Sequence, residues 1–156
     1  MLRHGGFSRV RTAGLACIVG LFMPGCADHV PDQDLRILQA APAAKLTTDL
    51  LWKEFQADAR AATRRYHGRA IEVSGKVTGI VQDQPPARLL FDPSATPDPS
   101  APHASGAGIE ARVLDDRAAE TFKDLSVGQR VTIRCFVEGL TTTVILKSCI
   151  KIQPGT

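Results

Sequence analysis

Aromatic residues are scarce in this chain: one Trp, one Tyr and six Phe make up 5% of 156 residues. Grooves that hold single-stranded nucleic acid rely on rings that stack successive bases, so a site of that kind would be thinly furnished. Metal-binding spacings are missing too, since the four His are scattered and no Cys-x-x-Cys occurs. There is no Gly-x-Ser-x-Gly elbow, no phosphate-cradling glycine loop and no His-Glu-x-x-His. Asp115 and Asp116 are adjacent acids, but at the head of a helical pattern they read as caps. The expectation is a chain with no cofactor, no metal and no catalytic centre.

A long apolar run is also lacking. Ala13 to Pro24 is mostly apolar but too short to cross a bilayer well. It follows a basic opening, Arg3, Arg9 and Arg11, that contains no acidic residue. Residues 1–25 therefore read as a secretory signal outside the fold. Its end, Met23-Pro24-Gly25-Cys26, resembles a bacterial lipobox, in which a signal peptidase cuts before a cysteine that then carries lipid. The resemblance implies that Cys26 becomes the mature N-terminus, held on a membrane by several acyl chains, where a single chain would bind only marginally. The alternative is an ordinary cut after Ala27, where Gly25 and Ala27 form a small-x-small site, which would release the protein. Ala27 is not the aspartate that resembles an inner-membrane retention signal, so the outer membrane is the favoured address. The expected location is the bacterial cell envelope, facing the periplasm, with a soluble periplasmic or secreted protein as the alternative.

The signal also accounts for the chain's excess of positive charge. There are 19 basic and 16 acidic residues, and three of the basic ones, but no acidic ones, lie in residues 1–25. The remainder holds 16 of each and is formally neutral. A nucleic-acid binder is expected to carry a basic excess or stripe, and this composition provides neither.

Residues 26–45 contain Pro31, Pro42 and an alanine run with little periodicity, and read as a tether with a short helical turn near Asp34 to Gln39. From Thr47 or Thr48, Leu51, Phe55, Ala59, Ala62 and Tyr66 recur at three- and four-residue steps, which predicts one amphipathic helix ended by Gly68. Gly68 to Ile80 alternates as a strand, with Ile71, Val73 and Val77 on one side. Gly75 takes an inward slot there, which suggests a bulge or sharp bend. Further strands are read at Ala87–Phe91, Gly108–Leu114, Arg130–Val137 and Thr143–Ile152, with a short helix from Asp115 or Asp116 to Leu125. Residues 92–106 include four prolines among small polar residues and His103, and read as a flexible loop. The fold class expected is mainly β with helices: a five-stranded OB-fold barrel, β-β-β-α-β-β, preceded by an amphipathic helix and occupying residues 46–153.

Tyr66-His67-Gly68-Arg69-Ala70-Ile71-Glu72-Val73-Ser74-Gly75-Lys76-Val77 resembles the opening of the tRNA-anticodon-binding-like OB-fold family, mostly bacterial lipoproteins. Gly128 to Ile133 and Val144 to Ile150 resemble it as well, so the likeness spans about residues 46–152. Cys135 stands where the family pattern has a glycine, with the family's cysteine nearer Val137. The family's name reflects fold, and does not imply that its members bind tRNA.

With Cys26 lipidated, Cys135 and Cys149 are the remaining mature thiols, in an oxidising compartment. Cys135 shares the inward phase of Ile133 and Val137, whereas Cys149 is out of phase with Leu146 and Ile150. Strict alternation puts them on opposite faces, and only a bulge in the last strand would bring the sulfurs together. Two functions stay open. One is a membrane-anchored module that meets an envelope protein or a glycan through the second and third strands. The other is nucleic-acid binding through Arg69, Lys76, Arg88 and Phe91.

Overall fold

The structure is a computed structural model that describes residues 30–93 and 108–153. The signal at 1–25, Cys26, His103 and most of the proline-rich stretch lie outside the described residues. The strands are β1 (Ala44–Thr47), β2 (Ala70–Lys76), β3 (Gly79–Val81), β4 (Arg88–Phe91), β5 (Ile109–Val113), β6 (Arg130–Leu140) and β7 (Val144–Lys151). Three α-helices accompany them: α1 (Thr48–Ala57), α2 (Ala59–Tyr66) and α3 (Asp115–Phe122), the last between β5 and β6 as expected. A 3₁₀ turn, Leu35–Leu38, precedes β1.

The expected five-stranded closed barrel is replaced by one open sheet of seven strands, in the order β1-β2-β6-β7-β5-β4-β3. The difference arises at the two ends of the stretch read as a single first strand. At its far end the chain changes partner. Val77 N–H donates to Gln129 O beside β6, whereas Thr78 N–H donates to Leu90 O of β4. One sequence strand therefore becomes β2 and β3, on opposite sides of the sheet. Two residues link them, a span of at most about 11 Å between Lys76 and Gly79 Cα atoms. The sheet must curl to meet that limit. No ladder joins β2 to β3 among the described residues, so it stays open. At its near edge β1 pairs in parallel with β2, from Ala44 opposite Ile71 to Thr47 opposite Ser74.

Gly75 is not the bend. It holds regular register opposite Val131 within the β2–β6 ladder. A Cβ at Gly75 would stand 2.5 Å from Thr48 Oγ1 and closer still to Thr48 Cγ2. The glycine is there because the first turn of α1 lands on the strand.

The predicted single helix is two. Thr47 caps α1, its hydroxyl accepting from Leu50 N–H at 3.2 Å. Asp58 then leaves helical geometry (φ −156°, ψ 94°) and accepts from Ala61 N–H at 2.9 Å, capping α2. The apolar stripe survives the break, with Leu51, Phe55, Ala62 and Tyr66 all buried against the sheet. Each large side chain of this kind contributes roughly 1.5–3 kcal/mol on burial. Tyr66 donates its hydroxyl to Glu54 at 2.7 Å. Burial and that bond push its phenol up to about 12. Gly68 follows at φ 67°, the left-handed geometry that lets the chain turn from α2 into β2.

Candidate functional site

The segment read as a tether is packed. Val30 and Ile37 are buried with Ala70, Leu114 and Phe136 in a second, smaller core. Polar contacts fasten residues 30–38 to β6 and β7. Val30 N–H donates to Glu138 Oε2 at 2.9 Å, and the Lys147 ammonium donates to Val30 O at 2.9 Å. Ser148 Oγ donates to Pro31 O at 3.0 Å and accepts from Asp34 N–H at 2.8 Å. Lys147 is buried, and its charge is balanced by Asp32 at 3.6 Å and Glu138 at 3.7 Å. Proline and alanine content suggested a spacer, and the short apolar cluster Leu35, Ile37 and Leu38 gave too little periodicity to indicate docking.

The bulge that the cysteines require is present in β7. Arg134 pairs with Ile150 and Phe136 with Lys147, so Ser148 and Cys149 together face Cys135. Ser148 takes φ 53°, which shifts the phase of the strand by one residue. Cys149 turns inward, and the Cys135 and Cys149 sulfurs are bonded across 4.3 Å of Cα separation in the core. The same bulge aims Ser148 Oγ at the N-terminal segment. One irregularity therefore serves both the disulfide and the strap.

The strap also reaches α3 and β5. Gln33 Oε1 accepts from Asp115 N–H at 2.8 Å. Neither Asp115 nor Asp116 caps the helix as expected. Leu114 occupies the cap position without a side-chain bond, and Gln33 supplies the missing acceptor. Asp32 meets Arg112 at 3.1 Å, Arg112 meets Glu110 at 2.9 Å, and Glu110 lies 3.8 Å from Arg88. These four alternate in sign across the outer face of β4 and β5. On the opposite flank, Glu72 is buried between Arg134 at 2.8 Å and Lys45 at 3.0 Å. The Arg134 hydrogen bond draws its carboxyl below the usual range. Burial opposes that effect, and Lys45 adds to it. Arg36 likewise lowers Asp34 through their side-chain bonds, against burial.

The four residues proposed for nucleic acid do not converge. Phe91 is 2% exposed, inside the main core. Arg88 is engaged with Glu110. Arg69 and Lys76 are exposed, but they flank opposite ends of β2, about 23 Å apart along an extended strand. Among the described residues no aromatic side chain is exposed. No group of three His, Cys, Asp or Glu there could hold a metal ion, and no helix there is long and apolar enough to cross a membrane. Two shallow hollows flank the strap. One, of about 310 Å³, is lined by Val30, Pro31, Asp34, Arg36, His67 and Phe136 with Gly68. The other, of about 250 Å³, lies between Leu38, Ile150, Lys151 and the α3 residues Arg117, Glu120 and Thr121.

Residues 14–150 match the tRNA_anti-like family. The chain belongs to that family. The match extends further toward the N-terminus than the resemblance in the motifs, and takes in the docked strap. No curated protein matches. Among solved structures, this tRNA_anti-like chain is similar to one described as a "putative nucleic acid-binding lipoprotein" from Klebsiella pneumoniae. The two are 14% identical with a TM-score of 0.49, over 80% of this chain and 100% of the other.

Proposed function

We propose that this tRNA_anti-like protein is a non-enzymatic OB-type binding module, lipid-anchored through Cys26 in the bacterial cell envelope and facing the periplasm. Its partner is an envelope protein or a glycan. One observation carries the choice of partner class: the outer face of β4 and β5 is already neutral. Arg88 and Arg112 are matched by Glu110 and Asp32, and Phe91 is turned into the core. Phosphate recognition depends on cations that release counterions on binding, and single-strand recognition depends on exposed rings. The face lacks both. Leu90 and its paired neighbours offer the mixed polar and apolar surface suited to a protein or sugar. The N-terminal motif supports the address, with outer-membrane sorting favoured by Ala27.

A salt series tests the partner class. Fluorescence anisotropy of a labelled single-stranded oligonucleotide with the protein from residue 28 onward should give no binding tighter than the nonspecific range of roughly 10⁻⁴–10⁻⁶ M at physiological salt. Binding well below 10⁻⁶ M (on the order of a hundred-fold tighter than nonspecific) that survives physiological salt would overturn the reading in favour of nucleic acid.

A further inference from the structure

We propose that Leu35 and Leu38 form a membrane-contact face, and that the domain sits with its N-terminal strap against the bilayer surface. The inference rests on the reading that Cys26 is acylated. In a 3₁₀ turn, side chains three residues apart lie one above the other. Leu35–Leu38 is such a turn, so its two terminal leucines share a side, while Ile37, fully buried, points into the second core. Leu35 is 56% and Leu38 37% exposed, and they are two of the four large apolar residues so exposed among the described residues. Between them Arg36 extends into solvent, held by Asp34 and lying 5.9 Å over the Phe136 ring. An exposed apolar pair beside an exposed arginine, its charge matched by Asp34, fits the layer where acyl chains meet polar headgroups.

The length of chain between anchor and body names the occupant. Only four residue steps separate Cys26 from Val30, a reach of at most about 14 Å. From Val30 onward the strap is fastened by Glu138, Lys147 and Ser148. A long tether would let the domain float clear of the lipid. This short one holds the strap end of the domain within reach of the headgroup layer, and the first exposed large hydrophobic side chains along the described chain are Leu35 and Leu38. Leu50 on α1 and Val127 between α3 and β6 are also exposed, but lie on other elements, further along the chain from the anchor.

The test uses the acylated protein extracted from membranes, with single labelled cysteines Leu35→Cys, Leu38→Cys, Leu50→Cys and Val127→Cys. Each is placed in vesicles of phosphatidylethanolamine and phosphatidylglycerol, with and without a spin-labelled quencher lipid. Quenching several-fold stronger at 35 and 38 than at 50 and 127 is expected. Equal quenching at all four sites, or none at 35 and 38, overturns the orientation while leaving the anchor intact. A blue shift at 35 and 38 already present in the unacylated protein from residue 28 onward, free of lipid and detergent, would mean that a second copy covers the face, and also overturns it. Intact mass of the same samples separates the two readings, because protein that begins at Asp28 without lipid removes the anchor and this orientation together.

Discussion

Replacing Gly75 by alanine pits two effects of similar size against each other, and the structure says which wins. In a strand with ordinary φ, Gly→Ala stabilises by about 0.4–1 kcal/mol, because the unfolded chain loses freedom. At Gly75 the new methyl would sit 2.5 Å from Thr48 Oγ1 and 3.0 Å from Thr48 Cβ, with Cγ2 nearer than either. Thr48 is buried at the first turn of α1 and cannot simply swing away. Overpacking of this kind costs about 1–3 kcal/mol, so the net expectation is a loss of about 1–2 kcal/mol. With a urea slope of about 2 kcal/mol/M, the midpoint should fall by roughly 0.5–1 M. Thr48→Ala removes the methyl and hydroxyl, leaving only Cβ in contact. In that background the cost of Gly75→Ala should drop below about 1 kcal/mol, a coupling that a double-mutant cycle reads directly. An unchanged or raised midpoint for Gly75→Ala would refute the reasoning. So would an equal cost with and without Thr48.

Three further outcomes follow from the same geometry. Ser148→Ala removes the acceptor for Asp34 N–H and the donor to Pro31 O, and should cost about 1–3 kcal/mol. Amide exchange should then speed up in residues 30–38 while β2 and β6 stay protected; uniform loss of protection would contradict a docked strap. Reduction of Cys135–Cys149, which are 14 positions apart, should lower stability by about 3 kcal/mol in the loop-entropy account. The urea midpoint should fall by roughly 1.5 M, and a mass or midpoint unmoved by reductant would contradict the bond. The lowered Glu72 carboxyl gives a pH dependence of known sign. Its stabilisation is fully present above the unfolded value of about 4.3 and is lost as pH falls through the lower folded value. Urea midpoints measured from pH 7 down to about pH 3 should fall, and Glu72→Gln should flatten that slope.

Much of the fold was legible because strand alternation and helix stripes are local. The strands at β4 to β7, the α3 insertion and the buried stripe from Leu51 to Tyr66 follow from side-chain period alone. What the sequence hid was set by partners far along the chain. Asp58 looks like any acid on a helix until its side chain is seen capping α2. The division of β2 from β3 depends on Gln129 and Leu90, some 50 and 12 residues from the break. The inward turn of Cys149 depends on a left-handed Ser148, a conformation that serine rarely adopts and no spacing announces. Residues 30–38 carry too little apolar periodicity to predict docking, since Lys147, Ser148 and Glu138 supply most of the hold. For the candidate site, the nucleic-acid reading joined Arg88 and Phe91, yet alternation along the strand puts Phe91 in phase with buried Leu89, inside the core, while Arg88 meets Glu110. The neutralising roles of Asp32 and Glu110 need three-dimensional neighbours.

Intact mass spectrometry of the protein extracted from its native membrane tests the central claim most directly. The account predicts a chain that begins at Cys26 and carries acyl mass. A chain that begins at Asp28 without lipid would contradict it, and would make this a soluble periplasmic or secreted OB-type module.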